Sequence, residues 1–221
     1  TTAGSGVAVG FGGAAAPLKL LLLGGSFDPV HRGHEAIADA ARAAHPNASL
    51  LWIPSGHAPH KPEREPAPAQ DRLALLKLAL ATRPGEEIFT AELERPGPSY
   101  TVDTLETLAR LHPGTDFLLL LGADSLEHLA SWRDLERLFR LSGFAFAPRP
   151  GWGPGSLESF CTALTPELAR DFRAEWLPMA EQAVSSTQIR RDLAAARAPQ
   201  GLRPAVEAEL RRRGLYGARN S

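Results

Sequence analysis

Two kinds of apolar pattern alternate along most of the chain. Short runs, several of them wholly apolar, recur at Leu18 to Leu23, Ser49 to Ile53, Ile88 to Leu93, Phe117 to Leu121 and Phe144 to Ala147. Runs of this kind, apolar on consecutive positions, predict parallel strands covered on both faces. Between them, Gly33 to Ala44, Asp71 to Ala81, Val102 to Leu111 and Trp132 to Leu141 carry Leu or Ala at three- and four-residue spacing, the mark of helices with one buried face. Strand and helix in turn predict an α/β fold with a doubly wound parallel sheet. Helices at about Thr187 to Ala196 and Pro204 to Arg213 end the chain, each opening on a hydroxyl residue or proline.

Ligands of such sheets sit beyond the carboxyl ends of the strands, near the point where strand order reverses. Two proline-rich connections matter for that edge. From Pro54 to Pro68 the chain holds five prolines among charged residues and lacks periodicity, which predicts a long, stiffened loop above the first strands and a candidate lid. Pro148 to Gly155 reads as a second connection of the same type.

Composition narrows the picture without changing it. The 221 residues suffice for one sizeable core. We expect a single domain over residues 18–217, preceded by a flexible Gly- and Ala-rich tail over residues 1–17. A hydrophobic content of 43% with 22% charged residues is that of a globular protein. No apolar stretch approaches the roughly 20 residues of a membrane span, so no membrane partner is expected. A net charge of −1 lacks the basic excess of nucleic-acid binders, so any anion site must be local. Cys161 is the single cysteine. It calls for no oxidising compartment, and cytoplasm is the default.

The strongest chemical signal follows the first strand. Gly24-Gly25-Ser26-Phe27-Asp28-Pro29-Val30-His31-Arg32-Gly33-His34 runs from an apolar strand straight into a helix. Small residues at the turn let main-chain N–H groups approach an anion, and the helix adds its positive end. Imidazoles at positions 31 and 34 share one side of the first turn and can donate to the same phosphate. Two other readings compete: the histidines merely cap the helix, or His31 and His34 join His57 and His60 around zinc. Against zinc, no cysteine or carboxylate is spaced to complete the shell.

Three further segments carry candidates. Ser185-Ser186-Thr187-Gln188-Ile189-Arg190 sets hydroxyls at a helix start with a guanidinium one turn in, more than one cap requires, and reads as a second phosphate cradle. Gly122 and Asp124 end the fourth apolar run, where the carboxylate either caps a helix or accepts from ribose or adenine. Gly97-Pro98-Ser99-Tyr100-Thr101 and Ser131-Trp132-Arg133 each open a helix. There Trp132 is either core or a stacking plane for a heteroaromatic ring, beside N–H groups suited to a carboxylate.

Taken in order, Gly24 to His34, Ile53-Pro54-Ser55 with Pro59-His60-Lys61-Pro62, Pro98 to Leu105, Leu121 to Asp124, Arg149-Pro150-Gly151, Ser185 to Arg190 and the closing Gly214-Leu215-Tyr216 resemble the bacterial nicotinate mononucleotide adenylyltransferases of the HxGH nucleotidyltransferase superfamily. The likeness spans about residue 18 to 217 and implies a Rossmann-like nucleotidyltransferase fold. It also implies adenylyl transfer from ATP to nicotinate mononucleotide in NAD biosynthesis, with Mg2+ carried by ATP and no metal held by the protein itself. By the resemblance, His31 and His34 are the catalytic pair. Gly25, Ser26, Phe27, Gly33, His34, Gly122, Asp124, Ser186, Thr187 and Arg190 face ATP. Ser26, Phe27, Lys61, Tyr100, Thr101, Trp132, Arg133 and Arg149 face the mononucleotide. Arg32 fills a slot usually small or polar in that family. The nearest rivals are transfer to another phosphorylated acceptor such as phosphopantetheine, and a nucleotide sensor without turnover. A homo-oligomer is left open.

Overall fold

The computed structural model describes residues 18–56 and 65–218. Six strands form one wholly parallel sheet: β1 (Lys19–Gly25), β2 (Ser49–Pro54), β3 (Glu86–Ile88), β4 (Asp116–Gly122), β5 (Ser142–Ala147) and β6 (Ala174–Trp176). Their order is β3-β2-β1-β4-β5-β6, the doubly wound arrangement the alternation predicts. The chain winds outward one way from β1 and the other way from β4, so the strand order reverses between these two neighbours. Gly24 and Gly25 of β1 and Gly122 of β4 therefore border one crevice.

Strand β1 shows why a fully apolar run was needed. Leu21 and Leu23 point into one core and Leu20 and Leu22 into the other, all essentially inaccessible. On the first face pack α1 (Arg32–Ala44), α2 (Ala69–Leu80), α9 (Ser186–Ala194) and α10 (Pro204–Arg212). On the second pack α4 (Thr101–Leu111), the short α5 (Leu126–Leu129), α6 (Leu135–Leu141), α7 (Pro154–Ala163) and α8 (Pro166–Asp171). Each fully buried leucine contributes about 1.5–3 kcal/mol, so both layers are fixed by the same strand. Among the described residues no helix is long and apolar enough to cross a membrane.

Three details differ from expectation. The run Ile88 to Leu93 is not one strand: β3 ends at Ile88, and Ala91–Glu94 is the short helix α3. Phe89 turns into the core with its N–H on the Trp52 carbonyl at 2.9 Å, and the good helix formers behind it coil after Thr90. The helix expected from Trp132 begins only at Leu135, because Asp134 takes a left-handed conformation (φ 50°) and caps it. The connection expected over Pro148 to Gly155 ends early, because α7 opens at Pro154 with the proline in its first turn, and α8 and the edge strand β6 follow it. Most of the Pro54 to Pro68 loop, with His57, His60 and Lys61, lies outside the described residues.

Candidate active site

Helix α1 is opened by its own histidines. His31 occupies the N-cap in an extended conformation, and its Nδ1 accepts the Gly33 N–H at 3.1 Å. His34 answers from the third position, its Nδ1 accepting the His31 N–H at 3.2 Å. This is a capping box built from imidazoles, where serine and glutamate are usual. With Nδ1 accepting, the proton of each ring sits on Nε2, at the end of the ring away from the cap. Burial, with the Arg149 charge adding to it, pulls His31 down to about 3. At neutral pH it is an uncharged donor. The rings stack with centroids 3.8 Å apart, and Phe27 meets His34 edge-on at 5.0 Å. Capping and anion-facing readings of the pair are thus compatible in one geometry.

Gly33 is required by closeness. A Cβ there would stand 3.0 Å from the His31 ring and 3.3 Å from the Val184 carbonyl, so this glycine lets α1 and the chain leading into α9 approach. From the α9 side, Ser185 caps the helix by accepting from Gln188 N–H at 3.2 Å. Ser186 Oγ donates to the Pro29 carbonyl at 3.0 Å, and Arg190 donates to the Asp28 carbonyl at 2.7 Å and to Thr187 at 3.2 Å. The N-terminal ends of α1 and α9, some 150 residues apart in sequence, converge on one loop. Both present N–H groups and positive dipole ends.

A buried carboxylate organises that loop. Asp28 is 3% exposed. Its Oδ1 accepts from the Ala67 N–H at 3.0 Å and from the Tyr216 hydroxyl at 2.7 Å, and its Oδ2 lies 3.6 Å from Arg190. Arg72 is buried beside it, donating to the carbonyls of Ala67 and Ser26 at 2.9 and 2.7 Å. Burial draws the Arg72 guanidinium below its usual range, while the Asp28 charge opposes that. Neither Arg72 nor the structural part played by Asp28 was read from sequence. An arginine in an ordinary helix start gives no local sign of burial, and Tyr216 was noted only as part of a familiar ending.

Across the crevice, Gly122 leads into a 3-10 turn holding Asp124. Arg149, just past β5, brings its Nε to 3.7 Å from Asp124 Oδ1, and its Nη1 donates to the Val184 carbonyl at 3.5 Å. That Nε is buried without a hydrogen-bond acceptor. A Cβ on Gly122 would collide with Asp124 and Arg149. Arg149, expected among the mononucleotide contacts, thus stands with Gly122, Asp124 and His31.

The remaining candidates form a small cleft of their own. Ser99, Tyr100, Thr101, Trp132 and Arg133 line it. The Arg133 guanidinium lies 4.5 Å over the Tyr100 ring and 4.0 Å from Asp103. Trp132 is half-buried against the second core while bordering this cleft, so it serves as core and as wall at once. Among the described residues no three His, Cys, Asp or Glu are grouped to hold a metal ion. The zinc reading required His57 and His60, which fall outside that set.

A doubly wound parallel sheet with a histidine-capped glycine loop at its switch point is the frame of a nucleotidyltransferase. The chain belongs to the cytidylyltransferase-like family, whose model matches residues 22–192, and within it to the nicotinate-nucleotide adenylyltransferases. It is 37% identical over 202 residues to the probable nicotinate-nucleotide adenylyltransferase of Gloeobacter violaceus, covering 90% of this chain and 96% of that one. It is also 37% identical over 196 residues to the corresponding protein of Salinibacter ruber, covering 88% and 96%. In fold it is similar to the Plasmodium falciparum nicotinic acid mononucleotide adenylyltransferase complexed with NaAD, with a TM-score of 0.69, 18% identity and coverage of 90% and 97%.

Proposed function

We propose that the crevice catalyses adenylyl transfer from ATP to nicotinate mononucleotide, giving nicotinate adenine dinucleotide and pyrophosphate. The observation that carries this reading is the meeting of the α1 and α9 N-termini around the Asp28 loop, where His31 and His34 cap α1, Ser186 donates to the Pro29 carbonyl and Arg190 to the Asp28 carbonyl. The acceptor's phosphate has a second pKa near about 6 and is already largely dianionic at neutral pH, so no side chain need act as base. Its oxygen bonds to the α-phosphorus of ATP while the bond from that phosphorus to the β-phosphate oxygen breaks, and pyrophosphate leaves with the electron pair. Alignment of the two nucleotides accounts for up to roughly 7 to 11 kcal/mol of the barrier. Donors aimed at the growing charge supply the rest.

In this reading His31 and His34 meet the phosphates through Nε2, and Ser186, Thr187 and Arg190 grip the triphosphate. Gly25, Ser26, Phe27 and Gly33 shape the shared floor, and Gly122 with Asp124 faces the adenosine. Tyr100, Thr101, Trp132 and Arg133 frame the pyridine ring and its carboxylate. Arg149, with an unmatched donor between Asp124 and His31, serves where the two nucleotides meet, and Lys61 completes the acceptor side. Mg2+ enters as MgATP, part of the substrate, in a cytoplasmic enzyme of one domain.

Pyrophosphate release in the presence of MgATP and nicotinate mononucleotide tests the assignment, with nicotinamide mononucleotide and phosphopantetheine as alternative acceptors. We expect release above background with nicotinate mononucleotide and far less with phosphopantetheine. Binding of ATP without release with any acceptor would mark a sensor instead, and turnover only with phosphopantetheine would refute the acceptor.

A further inference from the structure

Beneath the Tyr100 cleft lies a buried acid that the transfer reaction does not use. Glu92, on the short helix α3, is 8% exposed. Its Oε1 accepts from the Thr104 hydroxyl at 2.8 Å, and the Gly56 N–H bonds to the same carboxyl group. Its main-chain carbonyl accepts from Ser99 Oγ at 3.4 Å, and Arg95 reaches Thr104 Oγ1 at 3.4 Å. Burial pushes the carboxyl up, while Thr104, Arg95 and Gly56 pull it back. The fit is close: a Cβ on Gly56 would strike the Glu92 carbonyl and come within 2.8 Å of Ser99 Oγ.

Glu92 thereby ties its own helix α3 to three other segments: through its carboxyl group, Gly56 just past β2 and Thr104 in the first turn of α4, and through its main-chain carbonyl, the turn at Ser99. Two of these tie points bracket Tyr100 and Thr101, residues that line the cleft. A buried carboxyl persists only where hydrogen bonds compensate its lost hydration, so this acid marks a point whose geometry is held tightly. We infer that Glu92 is a positioning residue for the acceptor subsite, holding Tyr100 and Thr101 in place for the mononucleotide without touching it. The inference rests on the proposed function and adds a residue that acts only on one of its two substrates.

Glutamine keeps an oxygen for Thr104 and Gly56, whereas alanine removes the acceptor from both and leaves the Thr104 hydroxyl only the Tyr100 carbonyl, 3.5 Å away. In steady-state kinetics of the full chain, Glu92→Ala should raise KM for nicotinate mononucleotide roughly tenfold and leave KM for ATP within about twofold. Glu92→Gln should restore most of the loss. Thr104→Val, which removes one donor and keeps the side-chain shape, should give a smaller rise confined to the acceptor and serves if the alanine variant fails to fold. Equal effects on both substrates, no effect on either, or no rescue by glutamine would overturn the inference. If the wild-type chain shows no turnover with nicotinate mononucleotide, the proposed function fails on its own. Amide exchange over residues 99–104 then judges the positioning, with faster exchange in Glu92→Ala supporting it and unchanged exchange refuting it.

Discussion

The hydroxyl of Tyr216 and the carboxylate of Asp28, 188 residues apart in sequence, share a 2.7 Å hydrogen bond at the loop between β1 and α1. Asp28 in turn stands 3.6 Å from Arg190 through its other oxygen, and its carbonyl accepts from the same guanidinium. The C-terminal turn therefore braces a side chain expected to meet the triphosphate. We predict that Tyr216→Phe lowers stability by about 1.5–3 kcal/mol, the usual loss for a hydrogen bond to a charged partner, as measured by urea unfolding. It should also raise KM for ATP several-fold. A destabilised variant with wild-type ATP kinetics would separate Tyr216 from the function of Arg190.

Stability should depend on pH through His31. Folding lowers its pKa from 6.5 to about 3, so between those values the unfolded chain takes up a proton that the folded chain refuses. Stability is then greatest above pH 6.5 and falls as pH drops toward 3. For this one group the loss from pH 7 to pH 5 comes to about 2 kcal/mol. His31→Asn keeps a cap acceptor and should show a flatter profile in urea melts at the two pH values. Parallel profiles would mean that another group governs the acid limb.

His34 offers a donor to charge that grows during transfer, so it should matter more to turnover than to ground-state binding. For His34→Ala we expect kcat to drop by about 10²-fold or more with modest change in either KM. A raised KM at undiminished kcat would assign it to binding alone.

Trp132 borders the Tyr100 cleft, lined with it by Ser99, Thr101 and Arg133. Trp132→Ala should raise KM for the mononucleotide about tenfold, in the range that loss of ring stacking and burial implies, and leave ATP affinity nearly intact. Losses of equal size for both ligands, read by titration calorimetry, would contradict the division of the crevice into two subsites.

Much of this architecture was legible because it is written locally. Strand β1 announces itself as four consecutive leucines, and the histidine spacing fixes two rings on one helix face whatever the rest of the chain does. The cap reading of the pair is met at Nδ1 of both rings, and the proposed anion contact falls to Nε2. What escaped was written in tertiary contacts. Glu92 and Arg72 look like solvated helix charges until other segments cover them. Arg149 was assigned by its place in the order of motifs, whereas the turn after β5 delivers it to Asp124. Trp132, expected to open a helix, sits three residues before the observed start of α6 because Asp134 accepts a left-handed backbone, a feature apolar periodicity does not encode. The short edge strand β6 has only three residues, too few for any period to emerge.

The neutral state of His31 has a consequence for the end of the catalytic cycle. A charged ring would add the attraction of a full positive charge to its hydrogen bond, whereas an uncharged one offers an anion the hydrogen bond alone. In the proposed reaction the ring that burial keeps unprotonated would hold the departing pyrophosphate by that bond without adding a charge of its own.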